Sequence, residues 1–175
     1  MSKLIFRLLT LVLLVCSANT EAQRSEFAEL FTPLQQVNES ACARSLGWNE
    51  VEAYPLSDQQ MALFQQAYVA VLAADDATLQ AVVSNAQRYR DLVGFFNQLR
   101  SLELNPEGSK FIFQLPFDLN NTVHAGLAAR FADFAPDVIV SILWCMDATG
   151  STGVRQTVGY VYLARLEGQW KFYTP

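Results

Sequence analysis

The chain has 175 residues and a mass of 19.6 kDa, enough for one domain with a full core and too short for two. With 51% hydrophobic and 17% charged residues, its composition excludes a disordered, solvated tail. The net charge of −5, with no basic cluster to offset it, makes phosphate backbones poor partners, and nucleic-acid binding is set aside.

Met1 to Arg7 carries Lys3 and Arg7, Leu8 to Val15 is apolar apart from Thr10, and small or polar residues follow to Ala22. That order predicts a secretory signal over 1–22, too short for a bilayer crossing of about 20 apolar residues. Cleavage fits after Ala18 or after Ala22, and Ala22 is preferred. A lipoprotein reading would acylate Cys16, but such signals want a small residue before the cysteine and Val15 stands there. Removal of 1–22 leaves 153 residues at net charge −6, since Lys3 and Arg7 leave with Glu21. The expected location is periplasmic or secreted.

Two cysteines then remain, Cys42 and Cys145, an even pair in a chain sent to an oxidising compartment. A disulfide is expected; it would close a loop of about 100 residues, for which the chain-entropy model gives roughly 4–5 kcal/mol before strain. The alternatives are two buried thiols packing as small apolar residues, or a catalytic thiol, which would need a basic setting that a chain with one histidine hardly offers.

Residues 23–56 read as an N-terminal segment of short helices, with Ser25 and Thr32-Pro33 as starts and Phe27, Leu30, Phe31, Leu34 and Val37 at helical spacing. Gly47 to Pro55 reads as a connector. Ser57 to Gln60 has the capping-box pattern, and Met61, Phe64, Ala67, Tyr68, Val71 and Leu72 mark the inner face of the helix it starts. Asp75-Asp76 caps a second helix with Leu79, Val82, Val83 and Ala86 inside. A third runs from about Tyr89 to Leu102, carrying Tyr89, Leu92, Val93, Phe96 and Leu99, and the turn formers Asn105 to Ser109 end it.

Beyond that turn the period changes. Lys110 to Phe117 reads as a strand. Asn121 to Phe134 fits either period, with helix favoured because alanine and leucine dominate. Val138 to Asp147, Arg155 to Leu166 and Gln169 to Thr174 are strands joined by the turns 148–153 and Glu167-Gly168, an antiparallel meander. Val138, Val140, Ile142, Trp144 and Met146 alternate with Ile139, Ser141, Leu143, Cys145 and Asp147, so both faces of that strand are largely apolar. Helices must cover one face, and the N-terminal segment or another subunit much of the other.

The helix Ala67 to Ala74, the acidic break Asp75-Asp76, Leu79, a further helix and a terminal run of strands ending Gly168-Gln169-Trp170-Lys171-Phe172-Tyr173 together resemble the NTF2-like (SnoaL-like, cystatin-like) superfamily over about residues 57–175. The resemblance implies an α+β fold, with N-terminal helices packed on a curved antiparallel sheet that wraps an apolar pocket; the last three strands would form the C-terminal meander. Residues 57–175 would then be a single NTF2-like domain. A pocket acid or base of the isomerase or cyclase kind is also implied, with Asp147, His124, Asp118 and Tyr160 as catalytic candidates.

The chain lacks a carboxylate, histidine or cysteine cluster at ligand spacing, a glycine-rich phosphate loop and a Gly-x-Ser-x-Gly turn, so neither metal nor other cofactor is expected. The bland reading of the four ionisable candidates is a turn-starting Asp147, a satisfied His124, a capping Asp118 and a packing Tyr160. Trp144, Tyr160, Tyr162 and Trp170, with Phe172 and Tyr173, could line a ligand site or simply make core. Asn38-Glu39-Ser40 and Asn120-Asn121-Thr122 match the glycosylation acceptor pattern. The favoured function is a non-catalytic exported module binding a small apolar ligand or a protein partner, with a homodimer through the second sheet face as one form of it; a pocket enzyme is the alternative.

Overall fold

The computed structural model describes Phe27, Leu30, Phe31 and residues 53–103, 108–118, 136–146 and 154–174. The chain divides into two units, Met1–Leu30 and Phe31–Pro175. In the first, the Leu30 N–H donates to the Phe27 carbonyl at 3.3 Å. The helices from Asp58 onward and the four strands belong to the second.

Ser57 starts the helical layer. Its hydroxyl accepts from the Gln60 N–H (3.4 Å) while its own N–H donates to Gln60 Oε1 (2.8 Å), the reciprocal capping box read from the sequence, and helix α1 runs Asp58–Ala73. Ala74, at φ +52°, ends it in the left-handed conformation, with its N–H donating back to Val71. Asp75 then caps α2, Asp76–Val82: its carboxylate accepts from the Thr78 N–H (3.1 Å) and hydroxyl (2.6 Å). A short 3-10 turn, Ala86–Arg88, leads into α3, Arg90–Glu103.

Four antiparallel strands follow in the order β1-β2-β3-β4: Ser109–Pro116, Val138–Met146, Val154–Leu166 and Gln169–Tyr173. Each pairs with its neighbour in sequence, so the sheet is a meander throughout, and helices preceding an antiparallel sheet make the fold α+β. Glu167 (φ +51°) and Gly168 (φ +80°) close the last hairpin, both in the positive-φ region that a two-residue turn matched to strand twist requires.

Register sorts the sheet into two faces. Val140, Ile142, Val161, Leu163 and Phe172 share one with Ile112. On that face the helices pack through aromatic rings: Phe64 of α1 meets Phe172 edge-on at 4.9 Å, and Phe96 of α3 meets Phe172 at 5.9 Å and Phe64 at 6.1 Å. Such pairs add about 0.5–1.5 kcal/mol each beyond the area they bury. Gly159 lets α3 come close, because a Cβ there would stand 3.3 Å from Gln98 Oε1 and 3.5 Å from the Phe95 ring. The strand bulges beside it: Ile142 pairs with Gly159 and Leu143 with Thr157, leaving Val158 as the extra residue.

Both outer strands carry a short partner. Tyr54 exchanges two 2.9 Å backbone hydrogen bonds with Gln114 of β1, and Val83 bridges Phe172 of β4, where the Ser84 N–H donates to the Phe172 carbonyl (2.8 Å). A buried amide ties the first of these to the helices. Gln60, 1% exposed, donates from Nε2 to Gln114 Oε1 (2.7 Å), and Gln114 Nε2 donates to the Pro55 carbonyl (2.8 Å).

Some expected core positions lie elsewhere. Leu72 is 42% exposed, whereas Leu63 and Ala70 are buried: the apolar run Val69 to Leu72 offers two faces, and only the one that carries Ala70 is packed. α2 stops at Val82 because Val83 turns extended to reach β4, which leaves Ala86 exposed on the following turn. Phe95, absent from the expected stripe of α3, is buried beside Phe96. Of the segment 23–56 expected to hold short helices, all but Phe27, Leu30, Phe31 and the non-helical 53–56 lies outside the described residues, as do the glycosylation tripeptides and the ambiguous 121–134 segment.

Candidate functional site

The face of the sheet turned away from the helices is apolar and graded in exposure. At its β1–β2 side Phe111, Phe113, Leu143 and Cys145 are all buried, with Ala53 and Leu115 packed against them. Towards β3 and β4 a second group forms, Ile139 with Tyr162, flanked by Phe117 and Tyr173. The Phe117 ring stands edge-on to Tyr162 at 6.3 Å and Tyr160 edge-on to it at 5.7 Å. Tyr160, opposite Ser141 in the register, is 51% exposed although it lies within the longest strand. Three tyrosines and a phenylalanine thus make a corner that passes from buried to open. Hydrogen bonds at the adjoining strand ends hold it: the Phe117 N–H donates to the Asp137 carbonyl (3.1 Å), the Asp137 N–H to the Leu163 carbonyl (2.9 Å), and the Arg165 N–H to Asp137 Oδ2 (2.6 Å).

Register divides the aromatic candidates. Tyr160 and Tyr162 share the second face, while Trp144 and Trp170 fall on the helix side; the four therefore do not line one surface. Trp170 lies under the Arg165 guanidinium, 5.2 Å from the ring centroid, and Phe172 is core. Phe117, which no periodic pattern singled out, belongs to the corner; its position directly after Pro116 at the strand end was the available signal.

Of the catalytic candidates, Asp118 and Tyr160 are both open to solvent, and His124 and Asp147 lie outside the described residues. The displaced pKa values among the described groups sit at the start of helices. The Asp75 carboxyl is held below its usual range, first by the Thr78 hydroxyl and then by the Thr78 N–H, and Arg90 is raised chiefly by its hydrogen bond to the Tyr89 hydroxyl. Among the described residues no three His, Cys, Asp or Glu side chains gather as a metal ion would require, and no helix is long and apolar enough to cross a membrane. Cys145, 2% exposed, is disulfide-bonded; Cys16 and Cys42 lie outside the described residues.

Comparison with protein-family models, curated proteins and solved structures finds no match for this chain.

Proposed function

We propose that the chain is an exported, non-catalytic binding module of NTF2-like architecture that meets a protein partner through the corner formed by Tyr160, Tyr162, Tyr173 and Phe117. The observation that carries this reading is Tyr160, half-exposed on a sheet face and stacked edge-on to a buried neighbour. Tyrosine offers a large rigid contact area at the cost of two torsions, and such anchors at the edge of a buried cluster carry much of the energy of protein interfaces. Export rests on the charge and apolar pattern of 1–22, and the disulfide at Cys145 agrees with an oxidising destination. An isomerase or cyclase would need two of its acid–base groups converging in a water-excluding space, whereas Asp118 and Tyr160 both face water.

Native mass spectrometry of protein purified from its own compartment tests the reading. A co-purifying protein that is lost on Tyr160→Ser, with the fold intact by circular dichroism, is the expected result. A small apolar molecule held in place of a protein, a homodimer indifferent to Tyr160→Ser, or a partner retained by that variant would each overturn it.

A further inference from the structure

β3 outruns the strand laid beside it. It spans Val154–Leu166, whereas β4, Gln169–Tyr173, pairs only with its last part, Tyr162 to Leu166. Two independent sets of hydrogen bonds fix which way the main chain of β3 points. The Leu163 carbonyl accepts from the Asp137 N–H and the Arg165 N–H donates to the Asp137 carboxylate, both on the β2 side, so alternation turns the main-chain groups of Tyr162 and Tyr160 the other way. On β1, Gln114 bonds outward to Tyr54, which leaves Val140 opposite it facing β3 and, in step, Ile142 as well. Gly159 therefore meets Ile142, and Thr157, opposite Leu143, points away from β2 as Tyr160 does.

β4 stops short of these groups. On its outer side the Ser84 N–H donates to the Phe172 carbonyl (2.8 Å), and the Thr174 N–H donates to the Ser84 hydroxyl (3.0 Å). The next residue in sequence is Pro175, which has no N–H with which to answer the Tyr160 carbonyl. Exposure changes at the same place: Val161 and Tyr162 are 8% and 9% exposed, Tyr160 51%. Among the described residues no strand pairs with Val154–Val161 on this side.

We infer that the partner binds here as a strand. An extended segment of another protein, antiparallel to β3 and in line with β4, takes the outward N–H and C=O groups of Tyr160 and Thr157 and sets an apolar side chain against the Tyr160 ring. The inference rests on the reading of the Tyr160 corner as a binding site and names the form in which the partner arrives. Main-chain groups at strand spacing are matched by another extended chain, whereas a small apolar molecule would bury them unpaired. A second copy fits less well. Two β3 edges laid antiparallel and centred on Thr157 would bring the residue before Val154 of the copy to the level of Tyr162, which Tyr173 already occupies.

Amide hydrogen exchange on the purified protein, read residue by residue by NMR, tests this with a defined probe: an octapeptide of alternating threonine and valine between terminal lysines. In the free chain the Thr157 and Tyr160 amides should exchange at least about tenfold faster than those of Val161 and Tyr162, and the probe should slow them by about tenfold or more. The same peptide N-methylated throughout should have no effect. Thr157→Pro removes an outward donor while keeping the Tyr160 ring and the ladder to β2, and should lose the probe. Should that variant fail to fold, exchange in the unaltered chain decides alone. Thr157 and Tyr160 amides as slow as Val161 in the free chain, a probe that fails to bind at millimolar concentration or binds without changing their exchange, or a homodimer that protects them would each overturn the inference. The corner reading fails separately, on a native partner retained by Tyr160→Ser, whatever these amides do.

Discussion

Gln60→Met removes the buried amide that joins α1 to β1 while keeping the length of the side chain. Gln60 makes three side-chain hydrogen bonds: Oε1 accepts from the Ser57 N–H (2.8 Å) and hydroxyl (2.9 Å), and Nε2 donates to Gln114 Oε1 (2.7 Å). At about 1 kcal/mol net for each, the expected cost is about 2–3 kcal/mol, a sizeable share of a typical 5–15 kcal/mol total. For a domain of this size that lowers Tm by about 5–10 °C. Gln114→Met should cost less, since Gln114 is only half-buried, and the double variant should reveal a coupling of about 1 kcal/mol because the two residues share one hydrogen bond. Urea unfolding followed by tryptophan fluorescence measures all three, with Gln59→Met, on the exposed side, as a control near zero. A cost below about 0.5 kcal/mol for Gln60→Met, or strictly additive single variants, would refute the linkage.

Gly108→Ala should destabilise by about 2–3 kcal/mol in chemical denaturation, since at φ +95° the new Cβ would stand 2.3 Å from the Cys145 carbonyl oxygen. Gly168→Ala, at φ +80° with nothing within 4 Å, should cost about 1 kcal/mol, the backbone term alone. Gly94→Ala, exposed in α3 with nothing within 4 Å, should instead stabilise by about 0.5–1 kcal/mol in the same assay. The Asp75 carboxyl, lowered in the folded chain, should titrate below an ordinary exposed aspartate in NMR. Its contribution to α2 is complete above the unfolded value and is lost as pH falls through the folded one; a titration at or above the ordinary value would contradict the cap.

Local chemistry was legible in the sequence, and relations between distant segments were not. The Ser57–Gln60 box, the Asp75 cap and the Glu167-Gly168 turn each depend on three or four consecutive residues, so their patterns carried them intact. Leu72 faces out because apolar periodicity cannot choose between two greasy sides, and Ala86 because no local pattern shows that Val83 leaves the helix for the edge of β4. Gln60 read as a capping residue alone, since its second partner lies 54 positions away. The grouping of Trp144 with Tyr160 failed for a related reason: alternation assigns sides within one strand, but only the pairing of β2 with β3, offset by the bulge at Val158, says which sides coincide. The glycine at 159 was the one local sign of that offset.

The two flanking bridges bear on behaviour in crowded solution. A strand whose amides face outward unpaired can template the addition of further chains, copy upon copy, into insoluble ribbons. Here Tyr54 sits across the free side of β1, and Val83 with Ser84 across that of β4, so a newcomer would have to displace native hydrogen bonds before it could add itself. The stretch before α1 and the one after α2 therefore also act as guards of the sheet at these two points, and loosening either should raise the chain's tendency to precipitate before it unfolds.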